Sequence, residues 1–125
     1  MAVLTKDQIL GAPDLQRETV PVPEWGEGAE VIISEMSGEA ADDWAAETYT
    51  VEGDSEDAKV KVNRKNFQAR AVAACLVDEA GNRLFTTEEV AKLGRKSGKV
   101  LGRLFAVADR LNGLTPKSRK ALEKN

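Results

Sequence analysis

Few residue types in this chain can do chemistry, and their spacing defeats most of the uses they could have. There is no histidine, which removes the commonest general base, most zinc sites and any Ser-His-Asp or Cys-His constellation. The single cysteine, Cys75, shares helical spacing with Phe67 and Ala71 beside Val72 and Leu76. Apolar burial raises a thiol pKa, so Cys75 reads as a small buried hydrophobe rather than a nucleophile. The run Gly94-Arg95-Lys96-Ser97-Gly98-Lys99 resembles a phosphate-binding loop but is one residue short between its glycines. Val100 also stands where a Ser or Thr must reach magnesium. Asp54, Glu56 and Asp57 follow Gly53 rather than bracketing it, and no acid closes the loop at the distance calcium needs, so they read as a solvated acidic loop. No catalytic residue, metal ligand or cofactor site is expected, and the chain is not read as an enzyme.

The elements that carry these residues belong to a chain of 125 residues and 13.5 kDa, the size of a single domain spanning 1–125. Apolar residues make up 42% and charged residues 31%, the balance of a globular protein on the polar side. The longest apolar run, Ala71 to Val77, is seven residues, far below the ~18 of a membrane helix. The opening MAVLTKDQIL lacks the charged-then-apolar order of a secretory signal. A lone cysteine suits a reducing cytoplasm.

The net charge of −3 conceals a separation of signs. Up to Asp57 there are 2 bases against 15 acids, a net of −13; from Ala58 onward 16 bases face 6 acids, a net of +10. Such asymmetry fits a charged partner or copies meeting head to tail. It equally fits two halves that fold together and neutralise locally, since screening at ~10 Å limits action at a distance.

Element by element, residues 1–36 read as a short helix plus a β-hairpin. Thr5-Lys6-Asp7-Gln8 is a capping box whose helix is ended by Gly11, Ala12 and Pro13. Arg17 to Pro23 reads as an edge strand, with Val20 and Val22 on one face and Pro21 and Pro23 on the other, because proline cannot donate to a ladder. Glu24-Trp25-Gly26-Glu27-Gly28 is turn-like, and Glu30 to Met36 is its partner strand. Residues 37–114 read as helical. Ser37 caps a helix to about Tyr49 with Ala41, Trp44, Ala45 and Thr48 inward; Val51 to Asp57 is an acidic loop turning at Gly53-Asp54; Asn63 caps a mostly buried third helix. Asp78 to Arg83 turns on a left-handed glycine, and Leu84-Phe85 is a brief extended pair. Thr86-Thr87-Glu88-Glu89 is a second capping box for a helix stopping at Gly94, and Ser97 caps a helix that ends on Asn112-Gly113. Thr115-Pro116 starts a basic C-terminal tail or short helix over 115–125. The fold class is α+β, mainly α: a small helical domain with an N-terminal β-hairpin.

Basic density from Arg95 through Lys96, Lys99, Arg103 and Arg110, then Lys117, Arg119, Lys120 and Lys124, could neutralise phosphates. Nucleic acid is nonetheless disfavoured, because Phe85 and Phe105 sit at apolar positions rather than as stacking platforms and the acidic half repels a polyanion. The helix from Lys99 to Leu111 is more informative. Val100, Leu104, Val107 and Leu111 form one stripe and Leu101, Phe105 and Ala108 a second, an arc of roughly 160° where one-sided packing needs ~100°. Either the helix is central and covered on two sides, or part of the second stripe meets another protein. Trp25, beside two glycines, is a contact candidate or folds back over the hairpin.

The segments LTKDQILGAPDLQRETVPVPEWG and EVIISEMSG, with the later NFQARAVAACLVDEAGNRLFTTEEVAKLGRKSGKVLGRLFAVADRLNGL, resemble the small tail assembly chaperones of long, non-contractile-tailed bacteriophages. The resemblance runs from about Leu4 to Leu114 and is most specific at Val20 to Gly26, Cys75 to Phe85 and Arg110 to Leu114; Glu39 to Asp57 matches least. It implies a non-enzymatic protein of the host cell cytoplasm that binds the phage tape-measure protein, keeps its apolar helical regions soluble and helps recruit tail-tube subunits. It also implies absence from the finished virion and, for many members, a longer form made by ribosomal frameshift. Glu123-Lys124-Asn125 can be encoded GAA AAA AAC, which contains a heptamer on which both tRNAs re-pair after slipping back one base. Self-association around a long helical client fits the polarised charge, and no membrane is implicated. Leu101 and Phe105, then Trp25, are the candidate protein-binding residues. The competing reading is a generic small adaptor, an antitoxin-like interaction module with one compact partner.

Overall fold

Short-range cap chemistry sets most of the helix boundaries. In the computed structural model, which describes residues 2–53, 56 and 58–123, helix α1 (Lys6–Gly11) opens on the Thr5–Gln8 capping box: Gln8 N–H donates to Thr5 Oγ1 at 3.3 Å and Thr5 N–H to Gln8 Oε1 at 2.9 Å. Strand β1 (Arg17–Pro21) leads through a single 3-10 turn (Pro23–Trp25) to β2 (Glu30–Ser34). Both strands are about two residues shorter than the sequence suggests, yet Val20 and Val22 face inward as expected, 5% and 0% exposed. Ser37 caps α2 (Gly38–Thr48), its hydroxyl accepting from Ala40 N–H at 3.1 Å. The second capping box, at Thr86 and Glu89, opens a 3-10 turn that runs into α4 (Val90–Leu93). Ser97 caps α5 (Gly98–Asn112), which ends on Gly113 at φ 65°. Helix α6 (Pro116–Glu123) closes the described chain.

Three sequence expectations give way. The stretch read as an acidic loop is flanked by a second hairpin, β3 (Tyr49–Glu52) paired antiparallel with β4 (Lys59–Val62). Its alternation puts Tyr49, Val51, Val60 and Val62 on one face and Thr50, Glu52, Lys59 and Lys61 on the other, a period of two that the surrounding charge disguises. The turn expected at Gly53-Asp54 falls partly outside the described residues, as do Asp57 and Lys124. Asn63 does not cap the third helix. Its side chain instead accepts from Lys65 N–H at 3.2 Å, and α3 (Phe67–Cys75) starts after Asn66, which adopts left-handed φ 52°. Finally, Leu76 leaves the helix to form β5 (Leu76–Val77) beside β2, with Ile33 opposite Leu76 and Ile32 opposite Val77. A continuous apolar run has no period to separate helix from strand.

The result is mixed α+β and mainly helical, with a three-stranded sheet ordered β1-β2-β5 and the separate two-stranded hairpin. β1 is an edge strand, which suits the one proline it holds, Pro21; Pro23 instead opens the 3-10 turn. The turn after β5 brings Arg83 back to bridge Val77, while Leu84 N–H donates to Leu76 O at 3.1 Å. Gly81 turns the chain at φ 93°, a left-handed conformation that favours glycine, and the mobile end of the Arg17 side chain lies over it.

The core lies where α3 and α5 pack on each other and both meet β2, around Ile33, Val72, Cys75, Leu76, Val100 and Leu104, each at most 1% exposed. Asn112 knits three elements together. Its Oδ1 accepts from Met36 N–H at 2.8 Å, and its Nδ2 donates to Ala108 O at 3.0 Å and Cys75 Sγ at 3.4 Å.

Candidate functional site

The residues singled out for contact with other proteins fall into three different environments. Leu101 is 5% exposed and belongs to the core. The wide apolar arc of α5 is therefore explained largely by cover on two sides within this chain, with Val100, Leu101, Leu104 and Ala108 all buried. Phe105 is half-buried; its ring lies 5.6 Å from Phe67, which in turn meets Trp44 edge-on at 5.7 Å. Trp44 also meets Tyr49 at 6.1 Å, and its Nε1 is buried with no hydrogen-bond partner among the described residues. This aromatic row joins α2, α3 and α5 from the inside and leaves Phe105 partly exposed.

Trp25 stands elsewhere. The 3-10 turn carries it back toward the core, half-buried, where it lines an open groove of about 520 Å³ with Glu24, Phe85, Lys92, Leu93 and Lys96. Phe85 comes from the extended pair before the second capping box, and Leu93, 2% exposed, forms the floor. The groove is thus built by the first hairpin's turn and by α4 with its flanks. Phe85, Leu93, Lys92 and Lys96 were not singled out for contact in the sequence, because α4 is a single turn and too short to declare a face by periodicity.

Electrostatics position that turn. Arg103 on α5 donates to both oxygens of Glu24, at 2.9 Å and 2.5 Å, holding the turn against the helix. The Arg103 hydrogen bonds, then a backbone hydrogen bond at Glu24, with the charges of Arg103 and Lys99, lower the Glu24 carboxyl from 4.5 to about 2. Arg110, two turns further along α5, pairs with Glu18 on β1 at 2.6 Å. At these two places the acidic and basic halves neutralise each other within the chain. With Glu24 spoken for, the groove's remaining charges are the exposed Lys92 and Lys96.

A second cavity of about 470 Å³ lies between α2 and the Arg83 turn, lined by Glu39, Asp43 and Glu47 on one side and Arg70 and Arg83 on the other. Arg70 is 9% exposed, and its guanidinium is already committed: it donates to Thr48 Oγ1 at 3.1 Å, Asn63 O at 2.5 Å and Lys65 O at 3.3 Å. It ties the end of α2, the end of β4 and the start of α3 together. Cys75 is fully buried, and burial pushes its thiol up to about 12, which suits a packing role. Among the described residues, no group of three or more His, Cys, Asp or Glu is placed to hold a metal ion, and no helix is long and apolar enough to cross a membrane.

A family model described as phage tail assembly chaperone matches residues 9–125. Among solved structures, the tail assembly chaperone of bacteriophage HK97 shares the fold: TM-score 0.54 at 23% identity, over 87% of this chain and 94% of that one. No curated protein matches the chain.

Proposed function

The chain belongs to the phage tail assembly chaperone family, and from that premise we propose that it binds the tape-measure protein during tail morphogenesis. In this reading it keeps apolar helical stretches of that client soluble, helps recruit tail-tube subunits, acts in the host cytoplasm without catalysis and leaves before the virion is complete. The observation that carries the reading is the family match over nearly the whole chain. The physical support is the Trp25–Phe85–Leu93 groove, an open apolar channel with a cationic rim, which suits the apolar face of an amphipathic helix flanked by acids. Trp25 and the partly exposed Phe105 are the proposed contacts; Leu101 contributes by holding α5 in place.

Co-expression with the full-length tape-measure protein tests this. The client is expected in the soluble fraction and to co-purify with the chaperone, and Trp25→Ala is expected to release it without unfolding the chaperone. A client equally soluble alone, or never recovered with the chaperone, overturns the proposal; one compact partner recovered in its place favours the adaptor reading. A frameshifted longer form is part of the same proposal. Lys124 and Asn125 lie outside the described residues, and the gene sequence decides it, since GAG or AAG at the Glu123 or Lys124 codon removes the slip site.

A further inference from the structure

The charge on α2 opposes the helix that carries it. Its acids, Glu39, Asp42, Asp43 and Glu47, meet no base within the helix. Glu39, Asp43 and Glu47 follow one another at four-residue spacing, where like charges destabilise a helix. Glu47 also stands in the last turn, at the negative end of the helix dipole, where a cation is favoured. The rest of the fold does not answer them. Among the described residues, none of these three carboxylates has an ion pair or a hydrogen bond.

The same three acids line the 470 Å³ cavity, which also holds donors with nothing to donate to. Arg83 uses its Nε on Ala73 O at 3.1 Å, and its two Nη groups have no acceptor among the described residues. Trp44, 5% exposed, lines the cavity too, and its buried Nε1 lacks an acceptor. An occupant must therefore bring cations to the acidic ridge, about 12 Å long at 1.5 Å per residue, and acceptors to the donors. The last turn of a basic helix does both, because its terminal carbonyls lack intrahelical donors and Lys or Arg is favoured beside them. We propose that this cavity docks the C-terminal turn of a basic helix from a partner protein. Two of its Lys or Arg side chains, four residues apart, meet Glu39, Asp43 and Glu47, and its free carbonyls accept from Arg83 and Trp44 Nε1. Nε1 is closed to water in the free chain, so an acceptor reaches it only by displacing the atoms over it, which makes the indole proton a reporter of binding. The cavity shares no residue with the Trp25 groove, so the inference goes beyond the proposed function and does not depend on it.

The full-length chain is titrated at low salt with an alanine-rich peptide of roughly 18 residues, long enough to be helical alone, with two lysines four apart at its C-terminal end. The control peptide carries glutamates in their place. NMR follows the Trp44 indole proton, identified by its loss in Trp44→Phe. The lysine peptide is expected to shift that proton and leave the Trp25 indole unmoved, while the glutamate peptide shifts neither. Glu39→Gln/Asp43→Asn/Glu47→Gln is expected to melt at or above the wild-type temperature, since like charges are removed from an exposed ridge. The same variant is expected to bind the lysine peptide about tenfold more weakly, as is wild type at high salt. Trp44→Phe, which keeps an aromatic ring but not the donor, is expected to bind the lysine peptide more weakly than wild type.

A Trp44 indole proton that never moves, a glutamate peptide that binds equally well, or a neutralised variant that binds as tightly as wild type overturns the inference. So does a neutralised variant that melts well below wild type, because the carboxylates then serve the fold. Wild type that binds the lysine peptide through the ridge but never the tape-measure protein overturns the proposed function and not the cavity. A chain that recovers the tape-measure protein but ignores the lysine peptide does the reverse.

Discussion

Arg103 grips Glu24 with both arms of its guanidinium, joining the middle of α5 to the first hairpin's turn across 79 positions of sequence. The pair is surface-exposed, so its contribution to global stability is small. Its contribution to position is larger, since Trp25 follows Glu24 in the same 3-10 turn.

Breaking the pair therefore changes the groove before it changes the fold. Arg103→Ala is expected to keep the melting temperature within a few degrees while shifting Trp25 fluorescence to the red and weakening whatever binds the groove. The reversed pair Glu24→Arg/Arg103→Glu is expected to restore both, whereas a further loss in the double variant would mean the pair does not position the turn.

Glu24 also gives a pH signature. A carboxyl lowered in the folded state contributes its stabilisation above its unfolded pKa and loses it as pH falls through the folded one. For Glu24 that window runs from 4.5 down to about 2. Carboxyl NMR is expected to place the Glu24 midpoint near 2 in wild type and to move it up toward 4.5 in Arg103→Ala, stopping short because the backbone hydrogen bond and the Lys99 charge remain.

Arg70 is the opposite case, a nearly buried cation serving three acceptors on three segments. Arg70→Ala leaves those acceptors short of donors, and at ~1.5–3 kcal/mol for a hydrogen bond to a charged group the variant is expected to lose about 2–4 kcal/mol in urea unfolding. Thr48→Val removes one acceptor and is expected to cost less.

Leu101 and Phe105 separate core from surface on one helix. Leu101→Asp places an unpaired charge at a site 5% exposed and is expected to cost roughly 3 kcal/mol or more, or to prevent folding. Phe105→Ala forfeits the contact with Phe67 and is expected to cost about 1 kcal/mol in the ring pairing, plus the area lost. Thermal melts followed by circular dichroism distinguish the two, and equal, small effects would place Leu101 at the surface.

Cys75 is expected to resist thiol reagents at pH 8 in the folded chain and to react at once in denaturant. Burial both shields the thiol and raises it to about 12. Fast labelling of native protein would contradict the packing around Ile33, Val72 and Leu104.

What could be read in the sequence is what short range decides. The caps at Thr5, Ser37, Thr86 and Ser97 act on N–H groups three residues away, so sequence alone places them. The turn at Gly81 and the stop at Gly113 announce themselves by residue type. β5 does not, because nothing local distinguishes Leu76 from the helical residues before it; its strand state depends on Ile33, 43 positions earlier. The second hairpin was hidden by charge, since Glu52, Lys59 and Lys61 interrupt the apolar pattern that Tyr49, Val51, Val60 and Val62 complete. At the candidate site, Trp25 was visible as an odd tryptophan between turn residues. Its neighbours Phe85 and Leu93 were not, because only the folded hairpin brings a residue of the acidic half against α4.

The late arrival of β5 has a consequence for synthesis. β1 and β2 are complete once Ser34 has emerged, yet the strand that covers the free side of β2 ends 43 residues later, at Val77. At ~5–20 residues per second, a nascent hairpin waits roughly 2–9 s with Ile32 and Ile33 on an open edge. During that interval the half-made chain carries an adhesive strand of its own, with α2 and the second hairpin still to be threaded out before it can be shielded.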